Sequence, residues 1–343
     1  MLRATHHTPT DHKIFTEKNA ASTRHTFENK SYSEDNMIET LKGPILVMGA
    51  SGFIGANLFR KLLNVRQDVY GTFFSKKDRL KGLPNIIEVD LTRFPLTTLN
   101  EVKPATVFDL VTYGAYASET DTERIYETNV IFKTRFMELM SKLKTVQCYI
   151  HAGSSSEYGE QANAPTEDAP LLANSHYAVS KAATSALIHY WGRHRGVRCA
   201  NLRLYSVYGP MEDPSRLIPK LVSSALVGMY PPLVDKNISR DFVYVDDVCD
   251  AFVKAAVNLT PNFYGHSFNV GTGTSTPIEN LALIAKSLFN IPVDPIFSTM
   301  ENRHWDFHGE WRANTHKTRL CLDWVAKTPI YEGLERTRHG LRK

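Results

Sequence analysis

The sequence holds few of the features that would place it outside the ordinary globular classes. Its four cysteines, Cys148, Cys199, Cys249 and Cys321, are dispersed through 343 residues with no Cys-x-x-Cys pair. That excludes a disulfide framework and the common zinc and redox motifs, and reads as reduced, structural thiols in a cytoplasm. No run approaches 18 consecutive apolar residues, so no membrane span is expected. No apolar segment follows the early charges, as a secretory signal would require. There is no basic block, and a net charge of +4 is too small to argue for nucleic acid. Internal repeats, low-complexity tracts and an expected metal site are lacking as well.

What is present begins after a polar stretch. Residues 1 to about 42 carry no sustained apolar period and are expected to be a mobile extension, with a short docking helix near Met37–Leu41 as the alternative. The character then changes at Pro44-Ile45-Leu46-Val47-Met48, a short apolar run that reads as a buried strand. Gly49-Ala50-Ser51-Gly52-Phe53-Ile54-Gly55 follows at once, and Ala56–Leu63 reads as helix. In a strand–turn–helix context each glycine has a use. Gly49 allows the tight turn, Gly52 lets the backbone approach a diphosphate, and Gly55 lets the helix pack against the sheet.

Strand and helix patterns then alternate. Strands are expected at Asp68–Phe74, Asn85–Val89, Thr106–Val111, Val146–His151 and Val197–Leu204, with a long amphipathic helix at Glu123–Leu143 containing Asn129. This alternation predicts an α/β fold, a Rossmann-type doubly wound parallel sheet with right-handed crossovers. Beyond Gly209 the alternation loosens, with a helix at Leu217–Leu226, a strand at Ser239–Val245, a helix at Val248–Val257 and a strand at Ser267–Val270. Residues 43–209 are therefore expected to be mainly a dinucleotide-binding domain, and 210–343 mainly a smaller mixed α/β lobe with some elements returning to the sheet.

The second strand ends in Ser75-Lys76-Lys77. A site for NAD(H) usually places a carboxylate there for the ribose hydroxyls. A hydroxyl and two cations suit a 2′-phosphate instead, so NADP(H) is favoured, with NAD(H) the other possibility. An adenine ring would rest near Asp90-Leu91. The fifth strand runs into Ser154-Ser155-Ser156, at the sheet edge where open parallel sheets bind ligands.

Tyr177 and Lys181 stand four residues apart in a helical pattern and so share a face. A free phenol titrates near about 10. An ammonium about 4 Å away would supply the roughly 4 kcal/mol needed to bring it near neutrality in a partly screened site. The pair therefore reads as a proton-transfer tyrosine with an acidifying lysine.

Taken together, the glycine turn, the serines, Tyr177/Lys181 and Tyr208-Gly209-Pro210 resemble the extended short-chain dehydrogenase/reductases that act on nucleotide sugars. Arg240-Asp241-Phe242-Val243-Tyr244-Val245-Asp246-Asp247, Phe268-Asn269-Val270-Gly271, Arg303 and Asp323–Pro329 extend the likeness over about Pro44 to Arg338. The resemblance implies Tyr177 as acid/base, Lys181 as ribose holder and Ser154 as partner of the reacting sugar oxygen. It implies cofactor contacts from Gly49, Ser51, Gly52, Phe53, Ile54, Gly55, Ser75, Lys76, Asp90 and Leu91. Val111, Tyr113, Tyr205 and Val207 would complete that set with Tyr177 and Lys181. On the sugar-nucleotide side it implies Tyr116, Ser154, Ser155, Ser156, Ser206, Arg216 and Leu217, with Arg240 and Arg303 clamping the diphosphate. A homodimer built on helices 123–143 and 177–194 is the family habit.

The reaction turns on a few neighbours. Dehydratases of this family carry an acidic third residue where this chain has Ser156, and Glu157 falls one position late. A residue one step along faces the other way, so Glu157 is expected to miss the sugar. The expected activity is a 4-keto-sugar reductase, with a 4-epimerase second and a 4,6-dehydratase third. A catalytically silent cofactor-binding protein is the reading from a different class.

Overall fold

The structure is a computed structural model that describes residues 34–74, 77–90, 96–161, 163–301 and 310–341. The first half contains α1 (Glu34–Glu39), β1 (Ile45–Met48), α2 (Phe53–Leu63), β2 (Val69–Phe73), β3 (Ile86–Glu88), α3 (Leu96–Val102), β4 (Thr106–Asp109) and α4 (Thr122–Tyr126). A π-helical turn (Glu127–Ile131) leads into α5 (Phe132–Leu143), followed by β5 (Cys148–Ser154), α6 (His176–Arg195) and β6 (Cys199–Leu204). The remainder adds β7 (Ser206–Tyr208), α7 (Leu217–Ala225), β8 (Ser239–Arg240), β9 (Phe242–Tyr244), α8 (Val245–Asn258) and β10 (Ser267–Val270). It closes with β11 (Thr276–Pro277), α9 (Ile278–Phe289), α10 (His316–Leu322) and α11 (Ile330–Leu341).

Seven strands form one parallel sheet in the order β10-β6-β5-β4-β1-β2-β3. All residues of β1, β4, β5 and β6 are buried, as expected of strands covered on both faces. Successive side chains alternate between two cores. Ile45 and Val47 pack with Leu58, Phe59 and Phe252, whereas Leu46 and Met48 pack with Phe132, Phe136, Ile188 and Trp191. This is the doubly wound Rossmann-type sheet that the alternation predicts. The order reverses at β1, which pairs with β2 on one side and β4 on the other. Such a reversal opens a crevice at the carboxyl ends of the strands.

Three local differences from the sequence reading have physical causes. The stretch expected to be extension up to about residue 42 is folded over its last part. Ile38 of α1 is fully buried and Leu41 nearly so, while Glu34 reaches Lys61 and Lys327. The long helix expected at 123–143 is interrupted by the π-helical turn, where the Asn129 side chain is committed to bonds outside the helix. The single strand expected at 239–245 is two. β8 pairs antiparallel with β11, and β9 pairs parallel with β7. They part at Asp241, whose carboxylate accepts from the backbone N–H groups of Thr272 (2.7 Å), Gly273 (2.9 Å) and Ala313 (3.0 Å).

Candidate active site

The carboxyl ends of the central strands open into a cleft of about 1100 Å³. One wall is the glycine turn after β1. Gly49 has φ +75°, and a Cβ there would meet the Leu110 carbonyl carbon at 3.0 Å. A Cβ on Gly55 would come within 2.2 Å of the Gly49 carbonyl oxygen, so α2 can sit this close only without a side chain at that position. Gly52 caps α2 without a side-chain bond to its first turn, and Phe53 and Ile54 line the cleft. An eleven-residue helix that leaves its first N–H groups toward a cavity suits a diphosphate. These residues therefore fit the dinucleotide cofactor that the sequence calls for.

The tyrosine lines the same cleft. Ser175 caps α6 by accepting from the Ala178 N–H at 3.1 Å, which places Tyr177 in the first turn and Lys181 one turn further on. Ser154 and Thr112 line the cleft with Tyr177 and favour the ionised form of its hydroxyl. Lys181 is buried, and its ammonium donates to the Ala152 carbonyl at 2.8 Å and lies 5.8 Å from the Tyr177 ring centroid. β5 runs further than the sequence suggests, pairing through Ala152, Gly153 and Ser154 with Leu202, Arg203 and Leu204 of β6, so Ser154 closes the strand beside Tyr177.

The electrostatics differ from the expectation that Lys181 acidifies Tyr177. Burial raises the Tyr177 phenol above its ordinary value, and Ser154 and Thr112 oppose this only in part. Lys181 is itself pushed down to about 7, first by burial and then by repulsion from Lys133. Both shifts favour the neutral forms of the pair. In this structure Tyr177 is accordingly a protonated phenol, poised to give a proton.

Glu157 lies outside the cleft lining, in a short helical turn after β5 and not on the strand from which the sequence reading argued. It is fully buried and accepts from Arg203 Nε at 2.7 Å. Its Oε1 also accepts from the Ser154 N–H at 3.0 Å, while the Ser154 hydroxyl accepts from the Ser156 N–H at 3.1 Å. This capping box fixes the short helical turn Ser155–Tyr158 and with it the Ser154 hydroxyl.

The mouth of the cleft is bridged by polar and aromatic groups. Arg216 lies over the Tyr116 ring at 5.9 Å and approaches Glu212 at 3.6 Å. Glu212 is buried, one of its carboxyl oxygens has no partner, and burial pushes it up to about 8. Arg240 stands over the Trp311 ring at 5.2 Å. Arg79 donates to the carbonyls of Ser51 (3.2 Å) and Met211 (2.9 Å), tying the glycine turn to the segment after β7.

The sequence-derived residues converge on this cleft. Gly49, Ser51, Gly52, Phe53, Ile54, Gly55, Val111, Tyr113, Tyr177, Lys181, Tyr205 and Val207 line it from the cofactor set. Tyr116, Ser154, Ser155, Ser156, Ser206, Arg216 and Arg240 line it from the substrate set. Asp90 and Leu217 do not. Asp90 is exposed beyond the end of β3, and Leu217 begins α7. Ser75, Lys76, Leu91 and Arg303 lie outside the described residues.

Sequence reasoning did not pick out Thr112, Arg79, Glu212, Trp311 or the role of Asn129. Asn129 accepts from the Tyr113 N–H (3.0 Å) and donates to the Tyr113 carbonyl (2.8 Å) and the Ser180 hydroxyl (2.9 Å), so it ties the cleft loop to the helix of Tyr177. A short polar residue inside an amphipathic helix was the one available signal. Among the described residues no group of His, Cys, Asp and Glu is arranged to hold a metal ion, and no helix is long and apolar enough to cross a membrane.

Comparison with known proteins gives the same picture. Residues 45–271 match the NAD dependent epimerase/dehydratase family. UDP-glucose 4-epimerase of Mycolicibacterium smegmatis is 30% identical over 312 residues, covering 85% of this chain and 96% of the relative. The structure of UDP-glucose 4-epimerase from Thermotoga maritima with UDP-glucose is 26% identical, covers 87% of this chain and 98% of its own, and has a TM-score of 0.77. MoeE5 in complex with UDP-glucose and NAD is 27% identical, with coverage of 88% and 99% and a TM-score of 0.75.

Proposed function

The chain belongs to the NAD dependent epimerase/dehydratase family, and from that premise we propose that it moves a hydride at C4 of a nucleoside-diphosphate sugar, as a 4-keto-sugar reductase. The observation that carries this reading is the Tyr177 hydroxyl. It lines the same cleft as the glycine turn, Ser154 and Thr112, and burial raises its phenol above the ordinary value. A nicotinamide dinucleotide, when bound, supplies the hydride. Tyr177 gives its proton to the C4 oxygen, and Ser154 holds that oxygen in line. Lys181 and Asn129 fix the tyrosine's helix against β5 and the Tyr113 loop. Arg216 and Arg240 offer paired N–H donors to the diphosphate.

A 4-epimerase is the second reading. It uses the same residues and is favoured by the likeness to two UDP-glucose 4-epimerases. Elimination is disfavoured, because Glu157 is buried against Arg203 and is not among the residues lining the cleft. The purified protein separates the two favoured readings. Consumption of NADPH with a nucleoside-diphosphate 4-keto sugar supports the reductase. Stoichiometric, non-dissociating cofactor and interconversion of C4 stereoisomers, read by NMR, supports the epimerase.

The preference for NADP(H) rests on Ser75-Lys76-Lys77. Replacing both lysines with Ala should weaken NADP(H) far more than NAD(H), and equal weakening would overturn the preference. A homodimer is proposed on the same family footing. Exposed Ile131, Val179 and Tyr190, on the π-helical turn and α6, support it, and sedimentation equilibrium tests it.

A further inference from the structure

Arg240 stands on β8, a strand of two residues, and the wall of the cleft beside it comes from a segment far along the chain. Its two sequence neighbours each hold one backbone N–H of that segment. The Ser239 hydroxyl accepts from the Trp311 N–H at 3.2 Å, and the Asp241 carboxylate accepts from the Ala313 N–H at 3.0 Å. Ser239 and Asp241 are buried, so water does not compete for these bonds. The Ser239 hydroxyl is itself held by the Ser275 hydroxyl at 2.7 Å. The segment is pinned away from β8 as well. The Arg312 carbonyl accepts from the Ala164 N–H at 2.9 Å, and the Arg312 guanidinium meets Glu310 at 2.9 Å.

The backbone is thus fixed on both sides of Trp311, and the result is a ring against a cation. The Arg240 guanidinium lies over the Trp311 ring, 5.2 Å from its centroid, and both residues line the cleft. Arg240 Nη1 also donates to the Ser239 carbonyl at 2.7 Å. A guanidinium within about 6 Å of an indole face is attracted by the negative charge of that face, and Trp is the strongest of the aromatic partners. Arginine carries its donors in a rigid planar fork. A ring and a carbonyl that hold the guanidinium together therefore set where the rest of the fork points. An aliphatic side chain at 311 would cover the same surface without attracting the charge.

We propose that Trp311 is a positioning residue for the diphosphate of the substrate: its indole face holds the Arg240 guanidinium in the orientation that presents paired N–H groups to the phosphate oxygens. The inference deepens the reading of this cleft as a nucleoside-diphosphate sugar site and rests on it. Trp311 acts through Arg240. The charge on the ring face, and not only its shape, then sets the affinity for the nucleotide, and it does so only while Arg240 is present.

Isothermal titration calorimetry of the full chain with UDP, dTDP, CDP and GDP tests this, using whichever binds tightest. Trp311→Leu should weaken that nucleotide by about 2- to 30-fold and leave the affinity for NADPH and NADH unmoved. Trp311→Phe keeps a ring and should lose less. In an Arg240→Met background Trp311→Leu should cost nothing further. Since Trp311→Leu also removes packing from the segment, a second measurement holds the shape constant. Fluorinated tryptophans placed at position 311 drain charge from the ring face one fluorine at a time. Affinity should fall in steps with Arg240 present and stay level in Arg240→Met. A loss that persists undiminished in the Arg240→Met background would overturn the proposal, since Trp311 would then contact the nucleotide itself. An affinity indifferent to fluorination would overturn it too. If none of the four nucleotides binds the wild-type protein, the nucleotide-sugar reading falls and takes this inference with it. If one binds and the Trp311 variants match wild type, this inference falls alone.

Discussion

Arg203 and Glu157 form an ion pair of 2.7 Å, with side-chain exposures of 4% and 0%, directly behind the serine that closes β5. Removing one partner leaves the other charge stranded. Arg203→Met should therefore destabilise the fold by about 3–5 kcal/mol in denaturant unfolding. Glu157→Gln combined with Arg203→Met should cost less than Arg203→Met alone, because the stranded carboxylate is gone. A larger loss in the double variant would show that Glu157 acts mainly through its bonds to the Ser154 N–H and the Asn201 amide.

Tyr177→Phe removes one oxygen from the cleft and leaves the ring in place. Turnover should fall by about 10²–10⁴-fold, the usual worth of a positioned proton donor. Cofactor affinity, read by quenching of intrinsic fluorescence, should not change. Near-normal turnover would end the reductase and epimerase readings together.

Glu212 gives a pH signature of known sign. Its carboxyl is pushed up to about 8 by burial, so the folded state holds a proton that the unfolded state releases near the ordinary value of 4.5. Between those values the folded state binds more protons, so stability declines as the pH rises from about 4.5 to 8. Glu212→Gln removes this dependence. In thermal unfolding the variant should gain on wild type progressively between about pH 4.5 and 8, by at most about 1.4 kcal/mol for each pH unit.

Two glycines separate packing from backbone strain. Gly55→Ala would set a methyl 2.2 Å from the Gly49 carbonyl oxygen and should push α2 off β1, lowering stability and cofactor affinity together. Gly82→Ala has φ +77° but no atom within 4 Å, so it should cost about 1 kcal/mol and leave affinity intact. Titrating both variants with cofactor distinguishes the two effects.

The strand–turn–helix at Pro44–Leu63 and the Tyr177/Lys181 spacing were legible because each expresses a local rule: a backbone position that only glycine fits, or a helical repeat. The break between β8 and β9 was not. It depends on Asp241 finding partners at Thr272, Gly273 and Ala313, far along the chain. Thr112 and the role of Asn129 were missed for the same reason, since their value lies in their contact with each other and in the bonds of Asn129 to Tyr113 and Ser180 on other elements. The ammonium near Tyr177 was foreseen, but not its charge. The sequence shows that Lys181 is near the tyrosine and gives no sign that burial would push its ammonium down to about 7.

The place of β10 carries a consequence for how the chain matures. Ser267–Val270 pairs alongside β6 at the border of the sheet, although some sixty residues separate the two strands in sequence. Until the ribosome has released that segment, Cys199–Leu204 presents unpaired amide and carbonyl groups to anything nearby. A nascent chain stalled before Ser267 should be sticky, and chaperone capture should drop sharply once this last strand emerges and docks.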